Sequence, residues 1–178
     1  RRHGGAASGA LLDLLAPEPQ SNPPGHHHDV ALAGGVAVRV YRPATSETVP
    51  LVFFVHGGAW VSGTLDAYDN ICESIVELVG CVVMSVEYRR VPEHTFPVQV
   101  DDVLAALRWA VEHAAEFGAD AERLAVMGDS AGGNLTTVTA RTAVLEGWCN
   151  PVLQVLLYPV LDAAMTSPSV AAHADAPL

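Results

Sequence analysis

The sequence is poor in basic residues: nine lysine and arginine residues stand against twenty aspartate and glutamate residues, which gives a formal charge of −11. A surface this acidic repels a phosphate backbone and an anionic membrane, so we expect no nucleic-acid partner. Long hydrophobic runs are also lacking, and none approaches the roughly 20 residues that a helix needs to cross a bilayer. We therefore expect no membrane span.

Cysteine is scarce, and Cys72, Cys81 and Cys149 are too widely spaced for a disulfide framework or a C-x-x-C zinc motif. We interpret all three as small core residues of a cytoplasmic protein. The run His26–His28 lies in a segment rich in Pro, Asn and Gly, residues 17–29, which has no periodicity. Consecutive side chains cannot all face one ion in regular structure, so we predict an exposed loop and no bound metal.

The remaining composition fits one globular domain of 178 residues, of which 50% are hydrophobic and 16% charged. We predict a helix around residues 11–15 and a loop within residues 1–35, followed by an α/β domain over residues 36–178. In that domain short apolar strands alternate with segments of helical periodicity, which predicts a mostly parallel sheet with helices on both faces. The predicted strands are Val36–Tyr41, Leu51–Val55, Val82–Val86, Arg123–Met127 and Leu153–Leu157, and the predicted helices are Asp66–Val79, Val98–Glu116 and Asn134–Glu146.

The segment Gly128-Asp129-Ser130-Ala131-Gly132 has the G-x-S-x-G pattern between a predicted strand and a predicted helix. This pattern is typical of a nucleophile elbow, in which flanking glycines let the chain turn sharply and hold the serine in a strained conformation. Ser130 is therefore the candidate nucleophile. Taken alone, the motif also fits a glycine-rich turn with an incidental serine.

A second motif, His56–Trp60, directly follows the predicted strand Leu51–Val55. Its small residues leave backbone amides uncovered, and such amides stabilise the oxyanion of acyl transfer by about 2.7 to 4 kcal/mol each. A loop of this kind and the amide after the nucleophile together form an oxyanion hole. We predict that four amides form it here: Gly57, Gly58, Ala59 and Ala131.

Two side chains beside these motifs are expected to support the site. We interpret His56 as a residue that braces the loop through a hydrogen bond from its ring to backbone, and not as the general base. Asp129, the residue before the candidate nucleophile, is the second supporting residue.

Three segments carry a resemblance to a known family: His56–Trp60, Tyr88–Pro97 and Gly128–Gly133. In this order they resemble the hormone-sensitive-lipase-like family of α/β hydrolases, which includes many bacterial esterases and arylacetamide deacetylase. The resemblance runs from Val36 to Asp162. It implies an α/β-hydrolase fold, a small-molecule carboxylic ester as substrate, an acyl-enzyme on the elbow serine, and no metal or organic cofactor.

Two positions depart from the family's pattern. Ala59 replaces the third glycine of the oxyanion motif but keeps its backbone amide. Arg90 occupies a position that is apolar in the family's usual Tyr-Arg-Leu-Ala-Pro-Glu motif. By resemblance, Arg89 and Glu93 are structural residues that brace this loop near the active site.

The resemblance also implies a catalytic triad in the chain order Ser, Asp or Glu, His, with its acid and base on loops after two further strands. The sequence reaches Leu178 soon after the predicted strand Leu153–Leu157, so we expect an incomplete fold without its last strands and catalytic loops. Asp162, His173 and Asp175 are the late candidates, but their order and spacing argue against a rebuilt triad. We expect this chain alone to be nearly inactive, as part of a longer enzyme or as a degraded relative.

Two other functions remain open from the sequence. One is a non-catalytic small-molecule receptor, because plant gibberellin receptors resemble the same family and lack the catalytic histidine. The other is an amidase or deacetylase, since ester and amide cleavage share the same intermediate. The intact nucleophile and oxyanion motifs favour the esterase.

Overall fold

The computed structural model describes residues 27–162, 164 and 166–174, so the predicted helix around residues 11–15, His26 and Asp175 lie outside the described residues. Within the described residues, six strands form one sheet. They are β1 (His27–Ala31), β2 (Ala37–Tyr41), β3 (Val49–Val55), β4 (Val82–Glu87), β5 (Ala119–Asp129) and β6 (Leu153–Leu157).

The strands lie in the order β1-β2-β4-β3-β5-β6. Strand β3 pairs in parallel with β4 and β5, and β5 pairs in parallel with β6. Strand β2 is antiparallel to both β1 and β4. The prediction of a mostly parallel sheet is confirmed. Strand β2 is the exception because residues 42–48 link it to β3 without a helix, and a short link returns the chain in the opposite direction.

Helices join the parallel strands. Helix α1 (Leu65–Val79) links β3 to β4, α2 (Val98–His113) links β4 to β5, and α3 (Ser130–Glu146) links β5 to β6. A short helix, α4 (Pro168–Ala172), follows β6. In the part of the chain that the structure describes, none of these helices has the length and apolar character needed to cross a membrane.

Alternate residues of β3 enter two separate cores, one on each face of the sheet. Leu51, Phe53 and Val55 pack in the core that contains residues of α2 and α3. Val52 and Phe54 pack in the core that contains residues of α1. Burial on both faces explains why β3 is a continuous apolar run, and the prediction of helices on both faces is confirmed.

Strand β1 corrects the prediction of an exposed loop at residues 27–29, whereas residues 17–26 of that predicted loop lie outside the described residues. His27 and Asp29 pair with Tyr41 and Arg39 of β2. The sequence shows no alternation here because β1 is an edge strand with mostly exposed side chains. Its attachment comes from polar contacts, since the two carboxylate oxygens of Asp29 accept from the Arg39 guanidinium at 2.6 and 2.8 Å. Strand pairing thus crosses the predicted domain boundary.

The cysteines are unpaired. Cys72 and Cys81 are buried, and Cys149 is half-buried. Burial raises the pKa of the Cys72 thiol to about 12, so this side chain stays protonated at neutral pH and packs as a small apolar residue.

Candidate active site

Four residues other than glycine have a positive φ in the described part of the chain: Ala59 at 50°, Trp60 at 61°, Ser130 at 49° and Tyr158 at 36°. They lie just beyond the carboxyl ends of β3, β5 and β6, which are neighbours in the sheet. Such a conformation costs a residue with a side chain about 1–3 kcal/mol and persists only where the surrounding structure imposes it. Open α/β sheets also bind their ligands at this edge. Strain and topology therefore indicate the same candidate site.

The turn from β5 into α3 places Ser130 at this edge, because β5 passes into α3 without a loop. A Cβ atom on Gly128 would lie 2.5 Å from Thr136 Oγ1, and one on Gly132 would lie 2.1 Å from the carbonyl oxygen of Val55. No larger residue fits either contact. The two glycines thus allow the first turn of α3 to press against the end of β3.

The loop after β3 (residues 56–64, the oxyanion loop) turns tightly at Gly58, where φ is 118° and the carbonyl accepts two amides of the same loop at 3.0 and 2.9 Å. This turn leaves the amides of Gly58 and Ala59 without a hydrogen-bond partner among the described residues. The amide of Ala131 lies in the first turn of α3, where a helix offers no backbone acceptor. In the described part of the chain three backbone N–H groups of these two segments thus lack an acceptor: those of Gly58, Ala59 and Ala131.

The amide of Gly57 already has hydrogen-bond acceptors. It donates to Oδ1 of Asp129 at 2.8 Å and to the hydroxyl oxygen of Tyr68 at 3.2 Å. A Cβ atom on Gly57 would lie 2.3 Å from Oδ2 of Asp129, so only glycine lets this carboxylate approach the backbone. The prediction of an oxyanion donor at Gly57 is therefore corrected, because its hydrogen is committed to Asp129. Three of the predicted donors remain: Gly58, Ala59 and Ala131.

Asp129 joins the elbow to the oxyanion loop through a buried carboxylate. One oxygen accepts the Gly57 amide, and the other accepts the Tyr68 hydroxyl at 3.0 Å. Burial, reinforced by the nearby Asp129 carboxylate, raises the pKa of Tyr68, so its hydroxyl stays a neutral donor. No motif in the sequence indicated Tyr68, and the one available signal was an aromatic residue in the first turn of the helix after the oxyanion loop.

The His56 side chain is fully buried at the start of the oxyanion loop, and its ring stacks on Tyr88 with centroids 4.4 Å apart. Its Nδ1 lies 2.8 Å from the carbonyl oxygen of Gly57. Because a carbonyl only accepts, Nδ1 carries the proton, and Nε2 is a bare acceptor without a partner among the described residues. Burial lowers the pKa of His56, so the ring is neutral. Within the described residues His56 thus bonds to backbone and makes no hydrogen bond to the Ser130 hydroxyl.

The loop after β4 is held by an ion pair with α2. The guanidinium of Arg89 lies 2.6 Å from Oδ1 of Asp102, and the Arg89 amide donates to Oδ2 of the same residue at 2.9 Å. The Asp102 side chain is buried. Arg89 therefore braces the loop through Asp102, which the sequence did not indicate, whereas Glu93 is exposed.

The late acid and base candidates make other contacts. The Asp162 carboxylate accepts the amide of Ala164 at 2.9 Å and the hydroxyl of Thr166 at 3.3 Å. His173 is exposed directly after α4. In the described part of the chain neither side chain hydrogen-bonds to Ser130, and no three His, Cys, Asp or Glu side chains there cluster as metal ligands.

The chain is similar to known proteins over most of its length. A family profile described as alpha/beta hydrolase fold matches residues 52–178. Carboxylesterase NlhH of Mycobacterium tuberculosis is 44% identical over 144 residues, which cover 80% of this chain and 45% of that protein. Ethyl acetate hydrolase of Pseudomonas putida is 43% identical over 137 residues, which cover 75% of this chain and 43% of that protein.

A solved structure, that of a bacterial heroin esterase, matches with a TM-score of 0.82 and 34% identity over 98% of this chain and 56% of that one. The region matched by the family profile begins within β3 and includes the oxyanion loop, the elbow and β6. The chain spans about half the length of the curated relatives it matches.

Proposed function

The chain belongs to the hormone-sensitive-lipase-like family of α/β hydrolases, and we propose that the protein is a serine hydrolase of carboxylic esters. Ser130 is the proposed nucleophile. His56 and Asp129 support the site by fixing the oxyanion loop. The substrate is a small-molecule ester, and nucleophilic catalysis of this kind requires no metal or organic cofactor. The proposed oxyanion donors are the amides of Gly58, Ala59 and Ala131.

One observation carries this proposal: Ser130 is held at a φ of 49° beside three backbone amides that are available to an oxyanion. A strained serine next to unused donors suits a reaction that develops negative charge on a carbonyl oxygen. A protein that only binds its ligand has no chemical need for both features.

The reaction begins when Ser130 Oγ attacks the ester carbonyl carbon and the carbonyl oxygen becomes an oxyanion that faces the three amides. The tetrahedral intermediate expels the alcohol and leaves the acyl group on Ser130. Water then attacks the acyl carbon, which releases the carboxylic acid and restores the serine hydroxyl. Each well-placed amide stabilises the charged intermediate by about 2.7 to 4 kcal/mol.

A base must take the proton of Ser130, and the geometry of His56 does not suit this role. Its Nδ1 faces the Gly57 carbonyl, and its ring is buried and neutral. The relatives have about half of their length outside the match. We assign neither the acid nor the base of the triad among the described residues.

The cytoplasm is the proposed location. All three cysteines are free, as expected of a compartment that keeps thiols reduced. Fractionation of the source cells, followed by detection of the protein with an antibody, tests this location.

A fluorophosphonate probe, which reacts with activated serines, tests the function on the protein at its full natural length. We expect labelling that Ser130→Ala abolishes and that Ser74→Ala, a change at an exposed serine of α1, leaves intact. Failure of the wild-type protein to react would overturn the esterase proposal and favour the ligand receptor. Faster cleavage of an acyl amide than of the matched ester would reassign the protein as an amidase.

A further inference from the structure

The segment at the end of β4, residues 87–91 (the bracing segment), contacts the oxyanion loop along its length. The Tyr88 hydroxyl donates to the carbonyl of His56 at 3.0 Å. The Val91 amide donates to the carbonyl of Trp60 at 2.9 Å. The first and middle parts of the oxyanion loop are thus attached to the bracing segment through backbone carbonyls.

The end of the loop is attached through an ion pair between Arg90 and Glu87. Arg90 Nη1 donates both to the Glu87 carboxylate and to the carbonyl oxygen of Gly63. The second carboxylate oxygen of Glu87 accepts the amide of Leu65, the first residue of α1, at 2.8 Å. One charged pair therefore restrains two backbone groups on either side of the junction between the oxyanion loop and α1.

Gly63 connects the ion pair to the amides of Gly58 and Ala59, two of the proposed oxyanion donors. A Cβ atom on Gly63, where φ is 92°, would lie 2.5 Å from Nδ1 of His56 and 2.6 Å from the carbonyl oxygen of Gly57. The end of the loop therefore packs directly on its beginning. The carbonyl of Gly57 and the amide of Gly58 belong to one planar peptide, so the direction of the first fixes the direction of the second.

We propose that Arg90, acting with Glu87, is a positioning residue that holds the Gly58 and Ala59 amides in place for the oxyanion. This inference rests on the proposed function. The Arg90 and Glu87 side chains are 30% and 24% exposed, so their charge-assisted hydrogen bonds are partly shielded from water. The backbone at Ala59 and Trp60 is strained and depends on this restraint, because a strained conformation relaxes when the contacts around it are lost.

Arg123 offers a matched control, because it lies in the first half of β5 whereas Ser130 follows the carboxyl end of that strand. It pairs with Asp120, three residues before it, at 2.7 Å, and it donates to the backbone carbonyl of Thr48 at 2.9 Å. Arg90 has the same combination of partners, a carboxylate three residues earlier and a distant carbonyl. Arg123→Met therefore removes an arginine ion pair and a carbonyl contact of the same kind, but from a side chain that does not contact the oxyanion loop.

The test compares Arg90→Met, Arg90→Lys and Arg123→Met in the protein at its full natural length, with kcat and KM measured on a p-nitrophenyl ester. We expect Arg90→Met to lower kcat by about 10- to 100-fold and to change KM less than about twofold, since a misplaced donor group impairs the transition state more than substrate binding. Arg90→Lys keeps one charged donor and should restore part of the loss. Arg123→Met should leave both constants unchanged.

Amide hydrogen exchange provides a readout that does not depend on turnover. We expect faster exchange in Arg90→Met at the amides of Val61 and Ser62, which donate to the Gly58 carbonyl, and no change at these amides in Arg123→Met. If Arg90→Met does not fold, Arg90→Lys and Glu87→Gln decide the question in the same assays. Wild-type kcat and unchanged exchange in the folded Arg90 variants would overturn the positioning role alone. An inactive wild-type protein that resists the serine probe would overturn the proposed function, and the positioning role with it.

Discussion

The amide of Gly57 donates to the carboxylate of Asp129 at 2.8 Å, and this contact joins the end of β3 to the end of β5. The other carboxylate oxygen accepts the Tyr68 hydroxyl at 3.0 Å. One buried side chain thus satisfies two donors from different elements. The residue before the candidate nucleophile therefore sets the position of the oxyanion loop against the elbow.

Asp129→Ala should lower the free energy of unfolding by about 1–3 kcal/mol, because it leaves the Gly57 amide and the Tyr68 hydroxyl without their acceptor. Tyr68→Phe should cost about 1 kcal/mol. The double variant should lose less than the sum of the two single changes, since both remove the same hydrogen bond. Urea unfolding measures all three, with Asp101→Ala at an exposed position of α2 as the control. Strict additivity would contradict a shared network.

Gly132→Ala should destabilise the fold by about 3 kcal/mol or more, because the added methyl group would lie 2.1 Å from the carbonyl oxygen of Val55. Gly147→Ala is the matched control, since Gly147 has a φ of 74° but open space around its Cβ position. Alanine at position 147 should lower the free energy of unfolding only by the backbone strain, about 1–2 kcal/mol. Thermal or urea unfolding separates the two, and equal losses would mean that α3 does not press against β3.

The central strands and the three long helices could be predicted because burial imposes a period on the sequence. Strand β6 has the predicted bounds Leu153–Leu157, and α1 begins one residue before the predicted helix. Strand β3, buried on both faces, was recognisable as an apolar run. Strand β1 was missed because an edge strand held by Asp29 and Arg39 buries too little apolar surface to show a period.

The glycines of the elbow were predictable because a backbone turn requires them. Gly128 and Gly132 mark the elbow in the sequence because no other residue fits these contacts. The use of the Gly57 amide was not predictable, since it depends on a side chain 72 positions away. Arg90 was recognised as a departure from the family's motif, but its contact with Gly63 follows from the fold and not from local sequence. Contacts between polar groups that are far apart in the chain produce neither a hydrophobic period nor a motif of fixed spacing in the sequence.

The pair of Asp29 and Arg39 predicts how stability depends on pH at the β1 edge. The hydrogen bond from Arg39 lowers the pKa of Asp29 below its ordinary value of 3.8. A lowered carboxylate pKa means that the pair contributes fully above pH 3.8 and loses its contribution as the pH falls through the folded-state value. Asp29→Asn should therefore lower the free energy of unfolding by about 0.5–1 kcal/mol at neutral pH. Urea titrations at several pH values should show this difference shrinking in acid, and a constant difference would rule out the ion pair as its cause.

The left-handed backbone of Ser130 predicts that two inactive variants differ in stability. Alanine at this position retains a strain of about 1–2 kcal/mol, whereas glycine relieves it and loses about 0.5–1 kcal/mol to its greater freedom when unfolded. Ser130→Gly should therefore be more stable than Ser130→Ala by roughly 0.5–1 kcal/mol, and neither should react with a fluorophosphonate. Ser74, within α1, is the control with the opposite sign, because glycine in a helix interior is about 1 kcal/mol less stable than alanine. Urea unfolding of the four variants gives both differences. If glycine is the less stable residue at both positions, the serine is not strained by the elbow, and the observation that carries the proposed function is lost.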